Sequence, residues 1–230
     1  MRTDQAPSGD PLGVLGSAPP GFMDALSYPY FQSVFDRKSR RVALGMTVGS
    51  DVIPYESPYE PVPLSELEEA LLVMDLQNCP EVFLQPVTAD VRRVTGRAEF
   101  EQIAQLQAEV WGGNYDWLVT QLEENLAQQP DFWSIYIAYV NNEPACAAWV
   151  SFPRGSQFAG LWAGSTLDRF RQMGLYTAVV ATRAQEAIQR GYRFLMVDAS
   201  DMSRPILQKR GFEFMTHTTP YTWKNPDFEK

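Results

Sequence analysis

Residues 166–177 read Thr166-Leu167-Asp168-Arg169-Phe170-Arg171-Gln172-Met173-Gly174-Leu175-Tyr176-Thr177, and they decide how the flanking sequence is read. The run Phe158 to Leu167 ahead of them reads as a strand. The Ala-rich segment from Gly174 to Arg190 behind them reads as a long helix, ended by Gly191. A strand that turns directly into a helix leaves the helix's first N–H groups without backbone partners, at the positive end of its dipole. Such an end binds phosphate, and a glycine at Gly174 lets the backbone come close to one. Arg169 and Arg171 add cations where the dipole alone favours acids, which suggests an anionic ligand. A lone glycine at a strand–helix junction is more often only a turn. No Gly-Lys-Ser/Thr follows, which excludes a Walker loop, and the three-glycine spacing of a dinucleotide fingerprint is missing.

Upstream, a short strand at Val91 to Thr95 precedes a helix from Glu99 to Val110, with Phe100, Ile103, Leu106 and Val110 on one face and Gly112-Gly113 as its stop. A second helix runs from Tyr115 to Leu126 and Pro130 closes it. Trp133 to Val140, Asn141-Asn142 and Ala145 to Phe152 form a hairpin signature, because Asn tolerates the positive φ of a tight turn. Downstream come a buried strand at Phe194 to Val197, a short helix at Ser203 to Arg210 stopped by Gly211, and strands at Phe212 to Thr216 and Thr219 to Trp223. The order predicts a mixed α/β (α+β) fold, a mostly antiparallel central sheet with flanking helices. Ala178, Ala181, Ala184, Ala187 and Ile188 give the long helix a small, uncharged face for close packing on that sheet.

The first 88 residues read differently. Residues 1–21 are rich in Pro, Gly and Ser and form a flexible lead-in. Residues 22–88 form an N-terminal accessory region, read either as an interaction element or as a degenerate half of the same fold. It contains an aromatic helical face (Phe22, Leu26, Tyr30, Phe31), a strand at Arg41 to Val48 and a Pro-rich stretch from Val52 to Pro63. Ser65 and Glu68 then open a short helix as a capping box, and Leu71 to Leu76 follows as a strand. Residues 89–230 make the main domain.

Composition narrows the function. The net charge of -9, from 19 basic and 28 acidic residues, repels phosphate backbones and anionic lipid, so neither nucleic acid nor a membrane surface is expected as partner. No run approaches the ~18 apolar residues of a membrane span, and the N-terminus carries no targeting pattern, so the chain reads as cytoplasmic. The isolated Cys79 and Cys146 fit a reducing compartment, and a single histidine, His217, excludes a multi-His metal site. No metal is expected.

Arg171-Gln172-Met173-Gly174-Leu175-Tyr176 resembles the Arg/Gln-x-x-Gly-x-Gly/Ala signature of the GNAT superfamily. Val197-Asp198-Ala199-Ser200, then Ser203 to Leu207, then Arg210-Gly211-Phe212 are similar to that family's next strand, fourth helix and Gly-Phe ending, and the resemblance covers about Asp90 to Trp223. It implies an acetyltransferase that moves an acetyl group from acetyl-CoA to a small-molecule amine by direct attack; the alternative is a non-catalytic acyl-CoA binding module. It also implies a pyrophosphate cradled by Arg171, Gln172, Met173, Gly174, Leu175, Tyr176 and Thr177, with Ser165, Thr166 and Leu167 facing the pantetheine arm. Two positions depart from the family pattern. Tyr176 stands where Gly or Ala is usual, and Leu207 stands where a proton-donating tyrosine is usual.

Ser200 and Ser203 fall where they could bond the sulfur side as catalytic groups, and each also reads as a helix cap. Glu109, Trp111, Tyr115, Asp116 and Trp117 cluster between the first two helices, where the family forms its acceptor wall; aromatic faces with carboxylates suit a cationic amine. The same tryptophans read equally well as core, the acids as solvated. A homodimer is a further expectation.

Overall fold

The computed structural model describes residues 34–36, 41–43, 62–63, 69–218 and 221–222. The flexible lead-in, the helical face at Phe22 to Phe31, most of the Pro-rich stretch and the helix opened by Ser65 lie outside these residues.

In chain order the strands are β1 (Val34–Asp36), β2 (Arg41–Ala43), β3 (Val62–Pro63), β4 (Glu69–Asp75), β5 (Asp90–Val94), β6 (Trp133–Val140), β7 (Glu143–Ser151), β8 (Phe158–Thr166), β9 (Phe194–Ala199), β10 (Glu213–Thr218) and β11 (Tyr221–Thr222). The helices are α1 (Glu81–Leu84), α2 (Arg97–Trp111), α3 (Asp116–Gln128), α4 (Leu175–Gln189) and α5 (Arg204–Gln208). The main sheet has seven strands in the order β10-β4-β9-β8-β7-β6-β5, and β1-β2-β11-β3 form a small second sheet. Strands β5 to β8 pair antiparallel, while β8 and β9 run parallel, as the crossover through α4 requires. The mixed, mostly antiparallel sheet expected from the sequence is therefore present. Strand β4 belongs to it, although the sequence reading groups these residues with the accessory region.

The chain divides into two compact units: residues 73–197 make up most of the larger, and residues 31–72 with 198–230 most of the smaller. In the larger unit, α2 and α3 cover one sheet face through Phe100, Ile103, Leu106, Leu118 and Leu122, which pack with Ile135, Ile137, Ala147 and Leu167. The alternation of β6 sends Ser134 and Tyr136 to the other face. There both donate to the Glu186 carboxylate of α4, at 2.8 and 2.6 Å, and Arg190 pairs with the same carboxylate at 2.7 Å. Burial, then the bond to Glu186, holds the Tyr136 phenol well above its ordinary pKa. Helix α4 approaches closely, as its alanines predict, with Ala181, Ala184 and Ala187 buried. The face is not uncharged, however: Arg183 is fully buried on it.

In the smaller unit, Leu207, Phe212 and Met215 are buried. The Thr218 hydroxyl donates to Asp198 Oδ1 at 2.9 Å, and burial raises the pKa of that carboxyl. Helix α5 is shorter than expected, five residues with Pro205 in its first turn, and Gly211 (φ 92°) follows as the stop.

Candidate functional site

The site begins with an irregularity in β8. Ala147 pairs with Ser165, and Trp149 with Trp162, so the single residue Ala148 on β7 faces both Ala163 and Gly164 on β8. This is a β-bulge, and it puts Ala163 in the left-handed region at φ 50°. A non-glycine residue stays there only when its surroundings hold it. The holding groups come from α2: Gln107 Nε2 donates to the Ala163 carbonyl at 3.4 Å, and Ser165 Oγ donates to Gln107 Oε1 at 3.0 Å. Trp111 Nε1 in turn donates to Ser165 Oγ at 2.8 Å. Gln107 and Ser165 are both buried, so each bond forgone would leave an unpaired polar atom. As a result Trp162, Ala163 and Gly164 are exposed in the middle of an otherwise buried strand.

Beyond the bulge one edge of β8 opens. It pairs with β9 only through Phe158, Ala159 and Gly160, and runs on past that register to Thr166. The Leu167 N–H donates back to Ala145 O at 3.0 Å, toward β7. Backbone direction alternates along a strand, so Thr166 presents its N–H and C=O to the opposite edge, where an extended chain can pair with it. Of the three residues expected to face the pantetheine, Leu167 has its side chain in the core beneath α2 and α3, and the Ser165 hydroxyl is bonded to Gln107 and Trp111.

After β8, a 3-10 turn at Asp168–Phe170 leads to Arg171, to Gln172 at φ 63° and to Gly174 at φ 79°. Gly174 caps α4 with no side-chain bond, the first helical turn has no acidic residue, and the first intrahelical bond runs from Ala178 N to Gly174 O at 2.9 Å. The amides of Leu175, Tyr176 and Thr177 are thus left to an outside acceptor. A Cβ on Gly174 would meet nothing within 4 Å, so glycine is needed for its left-handed backbone, with open space beside it. Gln172, Met173 and Arg171 are exposed around it, and Arg171 pairs with Asp168 at 2.8 Å. Both partners are solvent-exposed, so the pair is weak and the guanidinium can turn to a stronger anion.

Arg169 behaves otherwise. Its guanidinium is ion-paired with Glu109 and with Glu143, so it ties α2 to the start of β7. The two arginines read as phosphate donors thus differ: Arg171 pairs with the exposed Asp168, and Arg169 with Glu109 and Glu143. Tyr176 does not project outward from the loop. Its ring lies against Gly164, where an added Cβ would come within 2.6 Å of Cε2, and burial raises the pKa of the phenol.

The other sequence-predicted residues fall in several places. Trp111 is half-exposed and anchored on Ser165; Tyr115 stacks on Trp117 at 6.0 Å between ring centroids. The carboxylates beside them are engaged: Glu109 with Arg169, and Asp116, at the start of α3, with the Asn114 side chain at 2.9 Å. Ser200 and Ser203 belong to the smaller unit, with their hydroxyls 3.3 Å apart. Ser203 precedes α5 yet makes no side-chain cap bond; its hydroxyl donates to the Ser200 carbonyl at 3.3 Å.

The sequence reading missed Gln107, Ala163, Gly164, Trp162 and Arg183. A glycine inside a strand is a bulge signal, so Gly164 was within reach. Gln107 has no such signal, since a polar residue between Leu106 and Val110 looks solvated until the helix is docked.

No family model matches the sequence, and no curated protein is significantly similar to it. The fold is similar to several solved structures. A GNAT-family protein from Novosphingobium aromaticivorans matches at a TM-score of 0.54 with 12% identity, over 82% of this chain and 75% of that one. An acetyltransferase of the GNAT family from Colwellia psychrerythraea matches at 0.54 and 12%, over 69% and 57%. A Staphylococcus epidermidis protein of unknown function matches at 0.50 and 13%, over 69% and 62%. The chain thus spans about three fifths of the latter two proteins.

Proposed function

We propose, from the premise that this chain has the fold of the GNAT acetyltransferases, that its larger unit binds acetyl-CoA and transfers the acetyl group to a small-molecule amine. The observation that carries this reading is the uncapped start of α4 beside the open edge of a bulged β8. The amides of Leu175, Tyr176 and Thr177, with Arg171, would hold the diphosphate, and Thr166 would pair with the pantetheine amides. At the bulge, strand N–H groups turned away from β7 would stabilise the oxyanion that forms when an amine attacks the thioester carbon. That attack needs a neutral amine, so a base or a water chain must first remove a proton. Trp111, bonded to Ser165, and Trp162, next to the bulge, are both half-exposed and would wall the acceptor; the Glu109 carboxylate is paired with Arg169, while Asp116, bonded to the neutral Asn114 amide, keeps its charge.

The test is thiol release from acetyl-CoA by the full chain, screened over amino acids, polyamines and aminoglycosides, alongside calorimetric binding of acetyl-CoA. Leu207 favours the second reading, a non-catalytic acyl-CoA module, because a buried leucine supplies no proton. Binding without thiol release from any amine would select that reading.

Gln107 gives a sharper check. Gln107→Ala is expected to lower kcat about tenfold with acetyl-CoA affinity changed less than about threefold, because the bulge loses its support while the phosphate cradle stays. It also leaves Ser165 and the Ala163 carbonyl short of a partner, at about 1–3 kcal/mol of stability. Thermal unfolding and steady-state kinetics of the variant read the two effects separately.

A further inference from the structure

We infer that Tyr176 is the proton donor to the departing thiolate, its phenol seated at the β8 bulge by the absence of a side chain on Gly164. The inference rests on the acyl-CoA reading of the site and deepens it.

Three observations lead there. The space that a Gly164 side chain would fill is taken by the Tyr176 ring, which puts the phenol beside the exposed residues of the bulge. The Tyr176 hydroxyl makes no hydrogen bond among the described residues, yet it is not a sealed, unsatisfied atom, so it reaches accessible space. Seven residues on, two helical turns along the same face, lies the buried Arg183. Its guanidinium donates to the carbonyls of Val179 at 3.2 Å, Trp149 at 3.0 Å and Trp162 at 3.4 Å, and among the described residues no carboxylate pairs with it.

The charged and titratable groups that act on the phenol are Arg183 on its own helix and Cys146 on β7; burial outweighs the arginine and keeps the phenol protonated above its ordinary range. The amine nitrogen bonds to the acyl carbon, the carbon–sulfur bond breaks, and the phenol proton passes to sulfur. The resulting tyrosinate, opposite Arg183, recovers a proton through water from the nitrogen that attacked, which restores the phenol and leaves amide and free thiol.

The test uses CoA itself and needs no acceptor. In the complex with the full chain, a phenol donating to sulfur stabilises the thiolate, so the bound thiol, followed by its ultraviolet thiolate absorbance, should titrate as a stronger acid than free CoA. Tyr176→Phe should weaken that acid about tenfold or more while CoA affinity stays within about threefold. Gly164→Ala keeps the phenol but pushes its ring off the strand, and should shift the thiol the same way. A thiol titration identical in wild type and Tyr176→Phe, with CoA bound in both, overturns the inference, as does an unshifted Gly164→Ala. Absence of CoA binding to the wild type overturns the acyl-CoA reading instead.

Discussion

Gly174→Val is expected to weaken acetyl-CoA binding about 100-fold or more while leaving the secondary structure of the protein intact. Gly174 sits at φ 79° as the cap of α4, in a region that a β-branched residue occupies only with strain of about 1–3 kcal/mol. Since nothing packs within 4 Å of its Cβ position, the valine meets no clash that would unfold the domain. The loop instead relaxes to a negative φ, and the three N–H groups that follow lose their common aim. Titration calorimetry reads the affinity and circular dichroism the fold. An affinity within threefold of wild type would mean that the α4 amides hold no ligand.

Arg171→Glu is the second large effect, again about 100-fold or more in acetyl-CoA affinity. It removes a charge-assisted donor and puts a carboxylate where the phosphates would lie. The ion pair with Asp168 is lost as well, but an exposed pair contributes about 0–1 kcal/mol, so the melting temperature should hardly move. Arg169→Gln is the internal comparison. Its guanidinium is occupied by Glu109 and Glu143, so affinity should change less than about threefold even though it lies two residues away. Equal losses in the two variants would show that what binds is the net charge of the loop rather than the placement of one guanidinium.

Much of the fold was readable because periodicity reports burial directly. The α2 stripe Phe100, Ile103, Leu106 and the hairpin turn at Asn141-Asn142 (φ 51° and 64°) were both visible as spacing and residue type. The left-handed start of α4 at Gly174 was readable for a similar reason: a glycine before a helix is a local conformational demand. The bulge network was not local. Gln107 and Ser165 are 58 residues apart in sequence and become partners only when α2 docks on β8. Arg183 misled in the opposite direction, since its alanine neighbours announce a face packed on the sheet, and the carbonyls of Val179, Trp149 and Trp162 make a buried guanidinium tolerable there. The carboxylates of Glu109 and Asp116 were legible as residues, but their pairing with Arg169 and Asn114 depends on which loops meet.

The claim on which the rest depends is that the start of α4 and the open edge of β8 hold an acyl-CoA. Titration calorimetry of the full chain with acetyl-CoA tests it most directly: the account predicts one site per chain with a dissociation constant on the order of micromolar, about 8 kcal/mol of binding free energy. No detectable heat from acetyl-CoA or CoA at millimolar concentration would contradict it.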